Sequence, residues 1–186
     1  MTINTPRCVI RPVRARDAEA LFDIRQRVAR FQGRTDRTLD ETRAMYADME
    51  SREPGGQPGW HQFVVEDRES TIVGDIGVNF ESPLPRQVEI GYSLHPDHWG
   101  RGYASEALAA LLDHLFASRD LHRAIAITGA ENHRSRTLLE RLGFRHEGTM
   151  IQSWWERDEE RWSDEVAYAV INSEWRSRQD GSGGGT

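Results

Sequence analysis

The residues with the most chemistry to offer form the run Asp97-His98-Trp99-Gly100-Arg101-Gly102-Tyr103-Ala104-Ser105-Glu106-Ala107-Leu108, which joins an apolar strand-like segment to a helix-like one. Two glycines with an alanine and a serine behind them let the backbone curl with its N–H groups exposed at the positive end of a helix. Such a turn holds phosphate through main-chain amides and the helix dipole, with Arg101 as the nearby charge. A dinucleotide fingerprint would need a third glycine where Ser105 stands, and a Walker loop would need Gly-Lys-Ser/Thr. The chain contains no lysine at all. A lone Gly-x-Gly also serves as a plain turn at the start of a helix, so its neighbours must decide between the two readings.

Upstream lies Val88-Glu89-Ile90-Gly91-Tyr92-Ser93-Leu94, and downstream Asn132-His133-Arg134-Ser135 followed by Leu142-Gly143-Phe144. Glu89 is a lone carboxylate in a mostly apolar strand; burial would raise its pKa and make it a competent proton acceptor. The bland alternative is a strand glutamate paired with arginine or solvent, and Glu66, Asp75 and Glu81 on neighbouring strands are rivals for the base. Asn132 and Ser135 stand one helical turn apart. They read either as caps of a helix N-terminus or as polar groups directed at a ligand, and both can hold together. His95-x-x-His98 has no cysteine and no third ligand at a sensible spacing, so no metal is expected.

Taken together, these segments resemble the GNAT superfamily of acetyl-CoA-dependent N-acyltransferases. The Trp-Gly-x-Gly-Tyr-Ala turn with its following Glu106-Ala107, and Asn-x-x-Ser ahead of Leu-Gly-Phe, resemble the RimJ/RimL-like branch. The resemblance spans Cys8 to Trp175. It implies a mixed α/β fold, with a central sheet of six to seven strands splayed at the cofactor site and about four flanking helices. By the same likeness the strand ending at Leu94 separates from the strand Arg123 to Thr128. The implied cofactor is acetyl-CoA, its pyrophosphate against the amides of Gly100, Arg101, Gly102, Tyr103, Ala104 and Ser105. An N–H near Ser93 or Leu94 would face the thioester oxygen, Asn132 would hydrogen-bond the pantetheine arm, and Ser135 would sit near the sulfur. Glu89 would be the base. Two departures stand out. Trp99 occupies a position where the family motif has Arg or Gln, and Leu139 the position where many relatives carry a tyrosine that protonates the leaving thiolate. Ser135, a water or no acid at all remains, since a thiolate leaves tolerably well near neutral pH.

The implied reaction is direct transfer of an acetyl group to a primary amine in a ternary complex, with a protein N-terminal α-amine favoured. A small-molecule amine such as an aminoglycoside, a polyamine or an amino acid is the rival acceptor. A longer acyl donor would depend on a channel beside Ile90, Tyr92 and Ile127. From another class, a non-catalytic acyl-CoA-binding module would keep the turn and lose the chemistry.

The elements that must carry these residues fit one α/β domain over 1–176, with a flexible Gly/Ser-rich tail over 177–186. An apolar strand covers Cys8 to Pro12. A helix follows from Asp17 to Val28, and a second runs from Leu39 to about Glu50 with Thr38 as N-cap and Glu41 in a capping box. Glu53 to Gly59 is a loop, either a flap or a connector. His61 to Asp67, Thr71 to Phe80 and Gln87 to Leu94 form a meander. Tyr103 to Ser118 is a helix with the stripe Ala104, Leu108, Leu111, Leu112 and Leu115. A strand over Arg123 to Thr128, a helix over Arg134 to Leu142 closed by Gly143, and a hairpin of Arg145 to Trp155 with Asp164 to Asn172 complete the chain.

Net charge is −6 from 24 arginines and 30 acidic residues. That balance argues against a nucleic-acid or anionic-membrane partner and suits a cationic acceptor, although it also serves solubility alone. The single Cys8 excludes an internal disulfide and reads as a core residue in a reducing compartment. No apolar run approaches the ~18 residues of a membrane span, and a cytoplasmic protein is expected. Trp60, Trp154, Trp155 and Trp162 either line a pocket or fill a core or homodimer interface, and packing is the expected role.

Overall fold

The computed structural model describes residues 1–29, 37–53, 57–82, 84–157 and 159–182. One mixed sheet runs through it, with strands in the order β1-β2-β3-β4-β5-β6-β8-β7. The strands are β1 (Ile3–Asn4), β2 (Cys8–Pro12), β3 (Trp60–Asp67), β4 (Ile72–Asn79), β5 (Gln87–Leu94), β6 (Arg123–Gly129), β7 (Arg145–Glu156) and β8 (Arg161–Ile171). The described α-helices are α1 (Ala18–Arg27), α2 (Leu39–Glu50), α3 (Tyr103–Ser118), α4 (His133–Arg141) and α5 (Asn172–Ser182). Every neighbouring strand pair is antiparallel except β5 with β6.

Alternation along β3 divides the core in two, because successive strand side chains point to opposite faces. Phe63 and Val65 join the larger apolar cluster, which α3 covers with Leu108, Leu111, Leu112, Leu115 and Phe116. Val64, between them, joins the smaller cluster with Val13, Leu21, Ile24 and Tyr46. Cys8 is fully buried in the larger cluster. Ala104 is only half-buried at the start of α3, and Ala107 takes the place in the core that the sequence stripe gave it.

The local signals act as their chemistry requires. At α2 the Thr38 hydroxyl accepts from the Glu41 N–H at 3.2 Å, while the Glu41 carboxylate accepts from the Thr38 N–H at 2.7 Å. Gly143 ends α4 with φ +87°, and Phe144 N–H then reaches back to the Leu139 carbonyl at 3.0 Å.

The sheet has one strand more than the sequence suggests, because β1 is too short to show a period and is defined by pairing Ile3 with Ile10 and Asn4 with Val9. β8 begins at Arg161, and Asn172 belongs to α5 rather than to a strand. The expected tail is corrected in the same region: α5 continues to Ser182, and residues 183–186 lie outside the described residues. A tertiary contact draws that helix on. Trp175 is buried and donates its indole N–H to Asp113 at 2.6 Å. Residues 54–56 of the expected flap, Pro83 and Asp158 also lie outside the described residues. No described helix is long and apolar enough to cross a membrane.

Under α1, the Arg11 guanidinium holds Asp17 through two hydrogen bonds of 2.7 and 2.9 Å and Glu66 through its Nε at 3.0 Å. Burial pushes the Asp17 carboxyl up, but hydrogen bonds from Arg11 and the Arg14 N–H bring it below its ordinary value. A carboxyl depressed in the folded state stabilises the fold above its unfolded pKa, and that contribution is lost as pH falls through the lowered value. Asp17→Ala should therefore cost about 3–5 kcal/mol at neutral pH, because it strips a buried guanidinium of a partner. Denaturant titration checks this, and a loss below about 0.5 kcal/mol would mean the pair behaves like a surface ion pair.

Candidate active site

The site starts from a break in the sheet. β5 and β6 pair only as Gln87 with Arg123, Val88 with Ala124 and Glu89 with Ile125. Beyond that point each strand keeps its outer neighbour: β4 stays on β5 up to Leu94, and β8 stays on β6 up to Gly129. The inner edges of residues 90–94 and 126–129 thus face a gap with no ladder between them. Main-chain groups on such edges need partners, and an extended chain carrying amides would supply them.

At the end of β5 the chain turns into α3. Gly100 and Gly102 both lie in the left-handed region, at φ +73° and +83°. The first helical bond of α3 runs from Glu106 N–H to Gly102 O at 3.1 Å, so the amides of Tyr103, Ala104 and Ser105 are not taken by the helix. Arg101 is exposed beside them. Behind the turn, Glu106 accepts from the Arg7 side chain at 2.6 Å, the Arg7 N–H at 2.7 Å and the Thr5 hydroxyl at 2.6 Å. Burial raises the Glu106 carboxyl, but these three donors outweigh it and hold the group below its ordinary value. Arg7 also donates to the Arg101 carbonyl and packs on Gly102, where an added Cβ would stand 2.7 Å from its Nη2. Neither Arg7 nor this use of Glu106 was legible from spacing, because the partners are far apart in the chain.

Trp99 donates its indole N–H to the Leu94 carbonyl at 2.8 Å, tying the turn to the end of β5. The Arg134 guanidinium lies over its ring, 4.5 Å from the centroid. A cation therefore stands beside the turn although position 99 supplies none. His95 and His98 stack edge-on, 5.9 Å apart. No cluster of three or more His, Cys, Asp or Glu able to hold a metal occurs among the described residues.

Across the gap, Asn132 caps α4: its Oδ1 accepts from the Ser135 N–H at 3.1 Å. The capping reading of this pair is thus realised, and among the described residues the Asn132 amide nitrogen makes no hydrogen bond. The Ser135 hydroxyl sits 2.7 Å from the Tyr92 hydroxyl on β5. Leu139 is sealed in the apolar core, so that position offers no hydroxyl to the gap. Ser93 is buried and pairs in register with Asp75.

Glu89 lies at the point where β5 and β6 part. Among the rivals, Asp75 is bound by Arg25 at 2.5 Å and by the Gln62 amide at 2.7 Å, and Glu66 by Arg11. Glu89 makes no ion pair among the described residues, and burial, with the nearby charge of Glu165, pushes its carboxyl up. The register carries Trp60 next to Asn79 and Asn79 next to Glu89. Trp60 spreads over Gly77 and Gly91, where a Cβ would meet its ring at 3.0 and 3.8 Å. Trp60, Trp154, Trp155 and Trp162 are 42, 40, 41 and 55% exposed, so the core half of the expected core-or-interface packing is not met.

A family model described as an acetyltransferase (GNAT) domain matches residues 7–145. The chain belongs to the GNAT acetyltransferases. It is an acetyl-CoA-dependent N-acetyltransferase, and the Gly100 to Ser105 turn and the open strand edges suit that cofactor's diphosphate and amide-bearing arm. The chain is 28% identical to the [ribosomal protein uS5]-alanine N-acetyltransferase of Escherichia coli, covering 93% of this chain and 92% of that protein. It is 25% identical to the spermidine N(1)-acetyltransferase of Vibrio cholerae, covering 64% and 68%. Among solved structures, Mycobacterium smegmatis RimJ in complex with CoA-disulfide superposes with a TM-score of 0.79 at 25% identity, covering 98% of this chain and 95% of that one.

In this acetyltransferase Glu89 should titrate above the ordinary glutamate value, and Glu165→Gln should bring it partway back, as carboxyl carbon NMR would read. A Glu89 at its ordinary value, unmoved by Glu165→Gln, would mean that neither burial nor its neighbour acts on it.

Proposed function

We propose that this acetyltransferase transfers the acetyl group to a protein N-terminal α-amine by direct attack in a ternary complex. The observation that carries the reading is a half-buried Glu89, without an ion pair among the described residues, at the point where β5 and β6 separate. The amides of Gly100, Arg101, Gly102, Tyr103, Ala104 and Ser105 would hold the diphosphate, with the Arg101 and Arg134 guanidiniums as its cations. The edge at Ser93 and Leu94 and the amide nitrogen of Asn132 would hold the pantetheine arm, and Ser135 its sulfur end. When bound, acetyl-CoA supplies a thioester whose carbonyl carbon is activated toward amines. Glu89 takes the proton that the acceptor nitrogen must lose, directly or through water. A main-chain N–H near Ser93 would face the carbonyl oxygen, and such donors are typically worth about 2.7–4 kcal/mol of barrier.

The length-wide likeness to an alanine N-acetyltransferase of a ribosomal protein supports a polypeptide acceptor. A polyamine is the second reading. Glu165 beside Glu89 favours it, because two carboxylates on one face suit an acceptor with more than one positive amine.

Thiol release measured over a panel of peptides with free N-termini, spermidine and amino acids tests the acceptor; a peptide substrate is expected to show the highest kcat/KM. Glu89→Gln should lower turnover roughly 10²- to 10⁴-fold with little change in cofactor affinity. The wild-type rate should fall as pH drops through the raised Glu89 pKa, because the base is then protonated. Near-parental turnover in Glu89→Gln would remove Glu89 from this role.

A further inference from the structure

We infer that Tyr92 is a positioning residue which fixes the Ser135 hydroxyl so that its proton is presented to the sulfur of the acyl donor. The inference rests on the proposed placement of Ser135 and goes beyond it. Tyr92 lies on β5 beyond its last register pair with β6, and its hydroxyl reaches across to the first turn of α4, 2.7 Å from Ser135 Oγ and 3.3 Å from the Ser135 carbonyl. A tyrosine hydroxyl has one proton to give. Either oxygen could donate across the shorter contact; we assign the proton to Tyr92, whose other contact, to the Ser135 carbonyl, is long for an O–H···O bond. With that lone pair taken, the Ser135 hydrogen cannot point back at Tyr92 and is left for an acceptor in the gap. The serine is pinned a second time, through its N–H on Asn132 Oδ1 at 3.1 Å. Burial pushes the Tyr92 phenol up to about 12, so it stays a donor throughout the neutral range.

The balance needs no further reactant. As the N–C bond forms and the C–S bond breaks, the amine gives one proton to Glu89, which passes it to water. The departing sulfur takes its proton from water, and Ser135 lends only a hydrogen bond to the charge that builds there. Hydrogen bonds to a charged acceptor are about twice as strong as neutral ones. Their alignment is therefore worth fixing with a buried side chain.

The test separates binding from turnover. Calorimetry with CoA and with desulfo-CoA, which lacks the sulfur, measures how much the protein favours the thiolate as pH rises past the thiol pKa. The wild type should come to prefer CoA by about tenfold, the size of one charge-assisted hydrogen bond. Tyr92→Phe and Ser135→Ala should each lose most of that preference, and the double variant no more than Ser135→Ala alone. Turnover by Tyr92→Phe should fall roughly tenfold at unchanged KM for acetyl-CoA. Phenylalanine keeps the packed ring, and unchanged desulfo-CoA binding reports an intact site. A Tyr92→Phe protein that retains the wild-type preference while Ser135→Ala loses it overturns the inference, and so do additive losses in the double variant. A wild type that binds both ligands equally at every pH removes Ser135 from the sulfur, and the inference goes with it. Absence of any CoA binding would instead defeat the proposed cofactor site as a whole.

Discussion

Main-chain amides and carbonyls cost about 1–3 kcal/mol each when shut away from partners, and β5 and β6 share only three register pairs before they part. The gap is not a loose end. β4 remains on the far side of β5 to Leu94 and β8 on the far side of β6 to Gly129, so both walls are held by complete antiparallel ladders. A wedge with fixed walls cannot close by local rearrangement, and what satisfies it must be extended and must carry donors and acceptors of its own. The Gly100 to Ser105 turn sits at the mouth of this wedge because α3 starts where β5 ends. Anion binding and strand completion are therefore two ends of one design.

That design carries a charge problem, which the N-terminal segment solves. Glu106 occupies the first turn of α3, where it suits the helix dipole but opposes an incoming diphosphate. Thr5 and Arg7 take up the carboxylate oxygens, and the same guanidinium binds the Arg101 carbonyl and packs on Gly102. The acid becomes an anchor for the turn rather than a repulsive charge. Trp99 shows a related substitution of means: its ring, tethered to the Leu94 carbonyl, holds the Arg134 guanidinium 4.5 Å above it. Cation–π contact thus brings charge from α4 to a turn whose own sequence omits it.

What could be read from the sequence follows the range of the forces involved. The α2 cap, the left-handed glycines at 100, 102 and 143, and the apolar stripe of α3 are set within a few residues, and they appear where the pattern places them. Glu89 also stood out, because a carboxylate inside an apolar strand is a local anomaly. The Arg7–Glu106 staple, the Arg25–Asp75 pair and the Tyr92–Ser135 bond join residues from distant strands and helices, and no periodicity encodes them. The exposed tryptophans escaped for a different reason. An aromatic residue alternating in a strand looks the same whether its face is covered or open, and the hairpin of β7 and β8 leaves Trp154, Trp155 and Trp162 open.

Glu89 and the nearby charge of Glu165 bear on which amine the enzyme can use. An ammonium has no lone pair, so the acceptor must shed a proton before attack. At pH 7 that costs about 1 kcal/mol for an α-amine and about 4–5 kcal/mol for an alkyl amine of lysine type. Burial, with the charge of Glu165, makes Glu89 a stronger base than an isolated glutamate, but a positive acceptor approaching both would draw the Glu89 pKa down again. The gain in basicity is thus smallest for an acceptor with several charges and survives best with an acceptor that is already partly neutral. Asp75, locked by Arg25 and Gln62, adds no free base to the same sheet face. On proton affinity alone the face favours an α-amine, and a polyamine would need the charge of Glu165 to hold it rather than to sharpen its neighbour.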